Sequence, residues 1–427
     1  MKTFLQPLQN LAEMEEIQKQ AKKNRGILEI SGCMESQKAH LMYGLSGLFP
    51  CHLVIAADEK SAKELYEDYR FYDKRVYYYP AKDLLFFQAD IHGNLLIRQR
   101  MQVIRALLER EDEITVVTSI DGCMDYLAPL EKIEKQLIHF RNDSTLDMDK
   151  LTAALVHMGY ERVGQVEMPG QFSIRGGIID IYSLTEENPW RIELWGDEID
   201  SIRSFDAQSQ RSLENLDDVT IYPAAEQPME KNGVSFLDYF KETETLFFLD
   251  ELNHLEENAK AVQEEFQQSC ENRKEKGEIS LSGDWMCTWE ELCHKINDRN
   301  CVAMSLLDPK KSNWKISGQF NITVKSMSSY QSSFELLVKD LKQYKKEGYQ
   351  IVLLSGSRTR AERLAKDLQE EGLNAFYGQD SDRILQPGEI MVAYGHARRG
   401  FEYPLVKFAV ITDRKSTRLN SSHDDVS

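Results

Sequence analysis

The stretches FSIRGGIIDIYS (172–183) and PWRIELWGDEIDSIRSF (189–205) determine the fold predicted for the middle of this chain. Apolar and polar residues alternate along both, and Gly-Gly or Gly-Asp interrupts each run. Such alternation is typical of strands with one buried face, joined by tight turns. With a helix predicted over 146–160 and a strand at DVTIYP, the pattern predicts a small, mostly antiparallel α+β domain over residues 136–222.

Apolar strands alternate with amphipathic helices on both sides of this domain. In residues 1–135 strands are predicted at 27–31, 53–57, 76–80 and 113–119. In residues 223–325 the stretch TLFFLDEL (245–252) is a buried strand, and 282–297 is predicted to be one helix carrying Trp285 and Trp289. This alternation predicts a parallel sheet covered by helices. A further small α/β domain is predicted over residues 326–412.

The end of the chain differs in character. Residues 413–427, DRKSTRLNSSHDDVS, are polar except for Leu419 and Val426, as in a solvated tail. However, DRKSTRLNSSH back-translates to a common sequencing adapter. We therefore interpret 413–427 as an adapter artefact, and we expect the natural protein to continue beyond residue 412.

Charge and composition exclude several classes of protein. The 427 residues carry 52 Lys+Arg and 70 Asp+Glu, a net charge of −18, which disfavours a DNA-binding scaffold. No apolar run is long enough for a transmembrane helix, and the polar start does not resemble a signal peptide. Seven cysteines without a CxxC pair favour reduced thiols in a cytoplasmic protein, and no metal site is predicted.

The loop after the first strand has part of a phosphate-binding motif. In G-x-x-x-x-G-K-[ST], the glycines let the backbone approach phosphate and the hydroxyl holds Mg²⁺. Gly32 and Lys38 have the right spacing, but Gln37 replaces the second glycine and Ala39 replaces the hydroxyl residue. The motif alone leaves two interpretations open, a degenerate nucleotide site and an ordinary strand–turn–helix.

A second nucleotide-motor element is an apolar strand that ends in two carboxylates. Asp250 and Glu251 follow LFFL in this way. In an active site the Asp binds Mg²⁺ through water and the Glu orients the attacking water. Paired with the broken loop, the element predicts a motor fold that has lost its chemistry.

One face of the inserted sheet has the composition of a protein-binding surface. If Trp190, Ile192 and Leu194 face the core, Arg191 and Trp195 face outward. The same reasoning places Phe172 and Ile174 inward, with Ser173 and Arg175 outward. Exposed Trp beside Arg is typical of interface hot spots. The alternative is that Trp195 folds over the sheet edge as part of a satellite core.

The order of these features resembles the N-terminal part of the bacterial transcription-repair coupling factors, which is itself similar to the excinuclease protein UvrB. The resemblance covers about residues 1–412. Four motifs carry it: YPAKDLLFFQADIHG (79–93), GYERVGQVEMPGQFSIRGGIIDIYS (159–183), WRIELWGDEIDSIRSFDAQSQRS (190–212) and GFEYPLVKFAVIT (400–412).

The resemblance implies a degenerate RecA- or helicase-like parallel-sheet domain formed by 1–135 and 223–325. It also implies that 136–222 is an inserted domain that binds the excinuclease protein UvrA, with Arg175, Arg191 and Trp195 at the contact. UvrB proper has an intact phosphate loop and a DNA-threading hairpin. The broken loop here, and the little room for a hairpin between 80 and 94, argue against UvrB itself.

The function expected from the resemblance is recruitment in transcription-coupled nucleotide-excision repair. This chain carries no catalytic site and needs no cofactor on this interpretation. ATP, Mg²⁺, DNA and RNA polymerase would be bound by further domains of the intact protein, an ATP-dependent DNA translocase. The alternative is an active ATP-dependent helicase or a UvrB-like excinuclease enzyme.

Overall fold

The computed structural model describes residues 1–23, 25–82, 94–226, 233–277, 286–308, 313–327, 330, 333–378 and 382–413. The proposed adapter segment beyond Asp413, Trp285 and the segment 83–93, where a hairpin was expected to be missing, lie outside these residues. Within the described ranges, no helix is both long enough and apolar enough to cross a membrane.

The first part of the chain forms a strand–helix alternation. Its helices are α1 (Lys2–Gln9), α2 (Met14–Lys23), α3 (Glu35–Ser46), α4 (Glu59–Arg70), α5 (Asn94–Leu108) and α6 (Leu130–Glu134). Its strands are β1 (Gly26–Ser31), β2 (Cys51–Ala56), β3 (Val76–Tyr79), β4 (Ile114–Ser119) and the short β5 (Tyr126–Leu127).

The inserted domain is dominated by one sheet. Its elements are β6 (Ile138–Arg141), α7 (Met148–His157), β7 (Glu161–Arg162), β8 (Gln171–Arg175), β9 (Ile178–Ile181), β10 (Trp190–Trp195), β11 (Glu198–Phe205), β12 (Ser212–Leu216) and β13 (Asp218–Ile221). The sheet order is β12-β11-β10-β9-β8-β7, antiparallel except for the β7–β8 pair. One face packs on α7 around a core that includes Phe172, Ile192 and Ile202.

The chain then returns to the first sheet and completes it. The elements are β14 (Val234–Ser235), β15 (Thr245–Asp250), α8 (Leu252–Glu275), α9 (Trp289–Asn297), β16 (Asn300–Ser305) and β17 (Ile316–Asn321). The sheet order is β17-β1-β16-β15-β2-β4-β3, and all seven strands are parallel. Strands from before and after the insertion therefore interleave in a single sheet, which confirms the predicted α/β fold.

The last described unit is a second, mixed sheet. Its elements are β18 (Lys325–Met327), α10 (Phe334–Glu347), β19 (Gln350–Ser355), α11 (Arg358–Glu370), β20 (Asn374–Tyr377), β21 (Glu389–Tyr394), β22 (Gly400–Tyr403) and β23 (Phe408–Thr412). The order is β18-β22-β23-β19-β21-β20. The cluster that packs α1 to α4 on the seven-stranded sheet continues into this unit through residues such as Leu354 and Phe401. This third unit, residues 325–413, is thus docked on the first unit, which contains the seven-stranded sheet.

The helix predicted over 282–297 is wrong at its start. The structure begins α9 at Trp289, because Thr288 caps the helix: its side chain accepts the N–H of Glu291 while the Glu291 carboxylate accepts the N–H of Thr288. Just before the cap, Met286 forms a bridge with Asp125. Residues 286–288 are therefore extended, and Trp289 packs edge-on against Trp314.

The inserted domain rests on helix α5 of the first part. Arg105 pairs with Glu186 at 2.6 Å, and the Tyr222 hydroxyl donates to Glu109 at 3.1 Å. These contacts lie at the base of the inserted domain. The turns at the far end of its sheet, at Gly176 and Gly196, have nothing near the position of a Cβ.

Candidate functional site

The loop between β1 and α3 occupies the position of a phosphate loop, but three of its backbone donors are already used. The N–H groups of Gly32 and Cys33 donate to main-chain carbonyls at the end of β16, at 3.2 and 3.0 Å. The N–H of Met34 donates to the side-chain oxygen of Gln37 at 3.0 Å. In phosphate loops such amides are the groups that cradle the phosphates. Here they are satisfied by the protein itself.

Gly32 is explained by packing without any phosphate. Its φ is +82°, and a Cβ at this position would lie 2.0 Å from the carbonyl oxygen of Ile322. The chain after β17 thus comes closer than any side chain would permit. The glycine that matches the motif has a structural role in this protein.

The two departures from the motif are both buried. Gln37 is fully buried, and its amide nitrogen donates to the hydroxyl of Tyr403 at 3.0 Å. Ala39 is also fully buried, in the core between the sheet and the helices. The side chains at positions 37 and 39 therefore pack inside the protein, and position 39 offers no hydroxyl to a metal ion.

Lys38 is held by the two carboxylates that the sequence singled out. Its Nζ lies 2.6 Å from Oδ1 of Asp250 and 2.7 Å from Oε1 of Glu251. Burial would lower the pKa of Lys38, but the two carboxylates outweigh it and the pKa is raised. The structure brings Lys38, Asp250 and Glu251 together in an ion-pair network, next to the loop that begins at Gly32.

The cleft around this network is acidic. Its volume is about 1000 Å³, and Glu251 enters it from a backbone with φ +54°. Lys38, Lys60, Arg398 and Arg399 line it against six carboxylates, from Glu35, Asp58, Glu64, Asp250, Glu251 and Glu257. A surplus of carboxylates repels a triphosphate. In the described ranges no group of three or more His, Cys, Asp or Glu is arranged to hold a metal ion.

The third unit is joined to the same loop. Nε2 of His40 lies 2.7 Å from the Phe4 carbonyl oxygen, and Nδ1 lies 2.9 Å from the Tyr403 hydroxyl. The Phe4 carbonyl can only accept, so Nε2 carries the proton. In the neutral imidazole Nδ1 then accepts from the Tyr403 hydroxyl, which itself accepts from Gln37. Burial lowers the pKa of His40 to about 4.

Two arginines of the third unit hold the rim of the cleft. Arg398 pairs with Asp68 at 3.1 Å and with Glu64 at 2.9 Å on α4. Arg399 pairs with Glu35 at 3.0 Å. The carboxylate of Glu35, which would oppose phosphate, therefore has a cation as partner.

A second candidate site is the outer face of the inserted sheet. The alternation correctly predicted Trp195 to be outside: it is 83% exposed, at the end of β10 before the turn at Gly196. Arg175 ends β8 next to the turn at Gly176, and 48% of its side chain is exposed. Both turns lie at the same end of the sheet, because β8 to β11 are consecutive antiparallel strands.

Arg191 lies on this face but is more enclosed than alternation suggested. Only 14% of its side chain is exposed, because its guanidinium binds the carboxylate of Asp180 through two hydrogen bonds of 2.7 and 2.9 Å. It also lies over the ring of Phe205 at 4.4 Å. Arg175 donates to the same Asp180 at 2.8 Å.

Ser173 lies on the predicted face, opposite Asp180 in the register, but it is buried, with 1% of the residue exposed. The inward prediction for Ile174 is only partly met. Ile174 is half-buried beside α7. In β10 the predicted alternation of inward and outward residues is observed, although a β-bulge after Glu193 shifts the register with β11.

Sequence reasoning missed three residues of these sites: His40, Asp180 and Tyr403. Asp180 had a signal, since an acid inside the apolar strand IIDI requires a cation or donors when buried. His40 and Tyr403 had none, because they are 363 residues apart and only docking brings them together.

Comparison with known proteins shows which chains this sequence is similar to. Residues 138–226 match the UvrB interaction domain. The chain is 29% identical to the transcription-repair-coupling factor of Bacillus subtilis over 90% of its length. It is 25% and 24% identical to those of Staphylococcus haemolyticus and Staphylococcus aureus MRSA252 over 80%. It spans 39%, 33% and 34% of these relatives.

The fold and the closed loop thus define a motor-type α/β domain interrupted by a UvrB interaction domain. The resemblance to the transcription-repair coupling factors, drawn first from sequence motifs, is confirmed, with the match extending over most of the chain.

Replacing Lys38 with Met tests the closed ion-pair network. We expect the free energy of unfolding to fall by about 3 kcal/mol or more, because Asp250 and Glu251 lose their buried cation. Denaturant titration at pH 7 measures the change. Lys60→Met is the matched control, since Lys60 is exposed in the same cleft and pairs with no described carboxylate. Equal effects of the two substitutions would show that Lys38 is not committed to this network.

Because His40 is buried in its neutral form, we expect the stability of the protein to depend on pH. Its pKa is about 4 when folded and about 6.5 when unfolded, so between these values only the unfolded chain takes up the proton. Stability from this group is therefore full above about pH 6.5 and falls by about 3 kcal/mol toward pH 4. His40→Gln should remove that part of the loss in denaturant titrations at pH 7 and pH 4, whereas exposed His139→Gln should not. An unchanged pH profile in His40→Gln would contradict the neutral, buried imidazole.

Proposed function

We propose that this chain is the recruitment region of a transcription-coupled nucleotide-excision-repair factor, and that its inserted domain binds the excinuclease protein UvrA. The observation that carries the proposal is the match of residues 138–226 to the UvrB interaction domain, on a sheet that exposes Trp195 and Arg175 at turns of the same end. An exposed Trp next to an Arg is the composition of an interface hot spot. In this proposal, recruitment follows the displacement of stalled RNA polymerase by translocase domains of the intact factor.

Arg175, Arg191 and Trp195 form the proposed recruitment face. The charge of this recruitment face indicates the chemistry of the partner surface. Arg175 and Arg191 share the single carboxylate of Asp180, so one positive charge is uncompensated among the three groups. Arg203 is neutralised by Glu193 on the same face. A partner surface that offers carboxylates around an apolar recess for Trp195 is complementary to this arrangement.

We propose that the motor-type domain of this chain is not catalytic. Lys38 is paired with Asp250 and Glu251, the N–H groups of Gly32 and Cys33 donate to main-chain carbonyls, and Gln37 and Ala39 are buried. ATP and Mg²⁺ belong in this proposal to the translocase domains of the intact factor, together with DNA and RNA polymerase. The place of action is the cytoplasm. An active helicase or UvrB-like excinuclease enzyme would need the closed loop to open.

The absence of catalysis is tested by ATP turnover. We expect no steady-state phosphate release above that of a Lys38→Ala variant, with or without DNA, because Lys38 is paired with two carboxylates and the metal-binding hydroxyl is absent. The assay is run at a temperature at which both proteins are folded. An ATP turnover rate of the wild type that exceeds that of the Lys38→Ala variant and depends on Mg²⁺ would favour the helicase alternative.

The recruitment face is tested by titrating the chain with UvrA. Arg175→Ala should weaken binding by about 2 kcal/mol, or about 30-fold, if its contact is desolvated. Trp195→Ala should weaken binding without lowering the melting temperature, because the side chain is exposed. Leu213→Ala, at an exposed apolar position on edge strand β12, is the matched control and should bind normally.

Two results would contradict the assignment of UvrA binding to the recruitment face. If Arg175→Ala and Trp195→Ala both bind like the wild type, the contact lies elsewhere on the chain. If Trp195→Ala unfolds the domain, its ring is part of the core. Arg191→Ala is less informative alone, because it also leaves the buried Asp180 with one cation fewer.

A further inference from the structure

Asp180 is a buried carboxylate between the two arginines of the proposed recruitment face. It lies in β9 among isoleucines, and 1% of its side chain is exposed. In the register it faces Ser173 on one neighbouring strand and Arg191 on the other. A carboxylate in such a place is costly unless several donors satisfy it.

Both oxygens of Asp180 are bound by guanidinium groups. Oδ1 accepts Nε of Arg191 at 2.7 Å, and Oδ2 accepts Nη2 of Arg191 at 2.9 Å. Oδ2 also accepts Nη2 of Arg175 at 2.8 Å. The first pair is bidentate, so it sets the plane as well as the position of the Arg191 guanidinium.

Other contacts hold the same group in place. The Arg191 guanidinium lies 4.4 Å from the centre of the Phe205 ring, and its Nη2 donates to Gln210 at 3.0 Å. Arg175 is more exposed, and Asp180 is the acceptor that the structure shows for it among the described residues. The carboxylate is therefore the one group common to both arginines.

The donors left over are suited to a partner. Among the described residues no acceptor binds Nη1 of Arg191, or Nε and Nη1 of Arg175. Two guanidiniums on one carboxylate also leave a net positive charge. Immobilising long side chains costs entropy on binding, and that cost is lower when they are held beforehand.

We propose that Asp180 is a positioning residue: it holds Arg175 and Arg191 in one fixed arrangement, so that their remaining N–H groups meet a carboxylate of the partner. This rests on the proposed function, since it deepens the role of the same face. Asp180 does not itself touch the partner. Asp180 could instead have a purely structural role and only neutralise a buried arginine. Replacing it would then lower stability, but its effect on partner affinity would not depend on whether Arg175 and Arg191 are present.

The first experiment compares Asp180→Asn with Asp200→Asn in the full chain. Asp200 is an exposed acid on β11, two strands away from Asp180, and its substitution removes the same charge from the same sheet. Binding of UvrA is measured by calorimetry at a temperature at which circular dichroism shows each variant to be folded. We expect Asp180→Asn to bind at least about tenfold more weakly, and Asp200→Asn to stay within about threefold of the wild type.

A mutant cycle separates positioning from stability. In a background that carries Arg175→Ala and Arg191→Ala, Asp180→Asn should change the affinity by less than about threefold, because nothing is left to position. A loss that is the same with and without the arginines would overturn the proposal. So would wild-type affinity in folded Asp180→Asn.

Arg191→Lys keeps the test decisive if Asp180→Asn does not fold. Lysine keeps the positive charge but cannot form the bidentate pair with Asp180. We expect at least about a tenfold loss of affinity. Affinity within about threefold of the wild type would show that charge suffices without an arrangement fixed by Asp180, and would overturn the proposal.

The failures of the two proposals can be told apart. If Arg175→Ala and Trp195→Ala leave binding unchanged, the recruitment face itself is wrong, and the role of Asp180 is overturned with it. If those variants lose binding while Asp180→Asn and Arg191→Lys do not, the face stands and the positioning role alone is overturned.

Discussion

The buried ammonium of Lys38 is neutralised by Asp250 and Glu251, at 2.6 and 2.7 Å, and the rest of the first domain is arranged around this contact. The lysine and Asp250 are 212 residues apart, with the whole inserted domain between them. A buried cation needs either a bound anion or carboxylates of its own chain. This chain uses its own carboxylates, so the cation at the position where a motor protein would hold phosphate is already neutralised.

Once the loop is closed, its other side chains serve packing and docking. Gln37 donates to Tyr403 of the third unit, and His40 lies between Tyr403 and the first helix. Glu35 pairs with Arg399 at the rim. The departures from the phosphate motif therefore form one consistent set, because each replaced group has a partner within the protein. The loop between β1 and α3 is thus part of the joint between the first and third units.

The inserted domain keeps its candidate surface away from that joint. It contacts the first part through Arg105 and Tyr222 at its base, while Arg175 and Trp195 lie at turns of its sheet. Strand alternation alone predicted Trp195 outside and Ile192 inside, since the period of two needs no knowledge of the neighbours. It did not predict that Ser173 is buried, because a period of two assigns a residue to a face but does not say what covers that face.

The sequence by itself determined the parallel sheet, the inserted antiparallel domain, the broken loop and the exposed Trp195, because these depend on periodicity and on residue types at short spacing. Only the tertiary structure decided that Lys38 is closed by carboxylates, that Tyr403 meets Gln37 and His40, and that Asp180 is shared by Arg175 and Arg191. Such contacts depend on strand register and unit docking. A hydrogen bond or an ion pair needs its partners within about 3 to 4 Å, and side chains that are distant along the chain reach that separation only after packing places them.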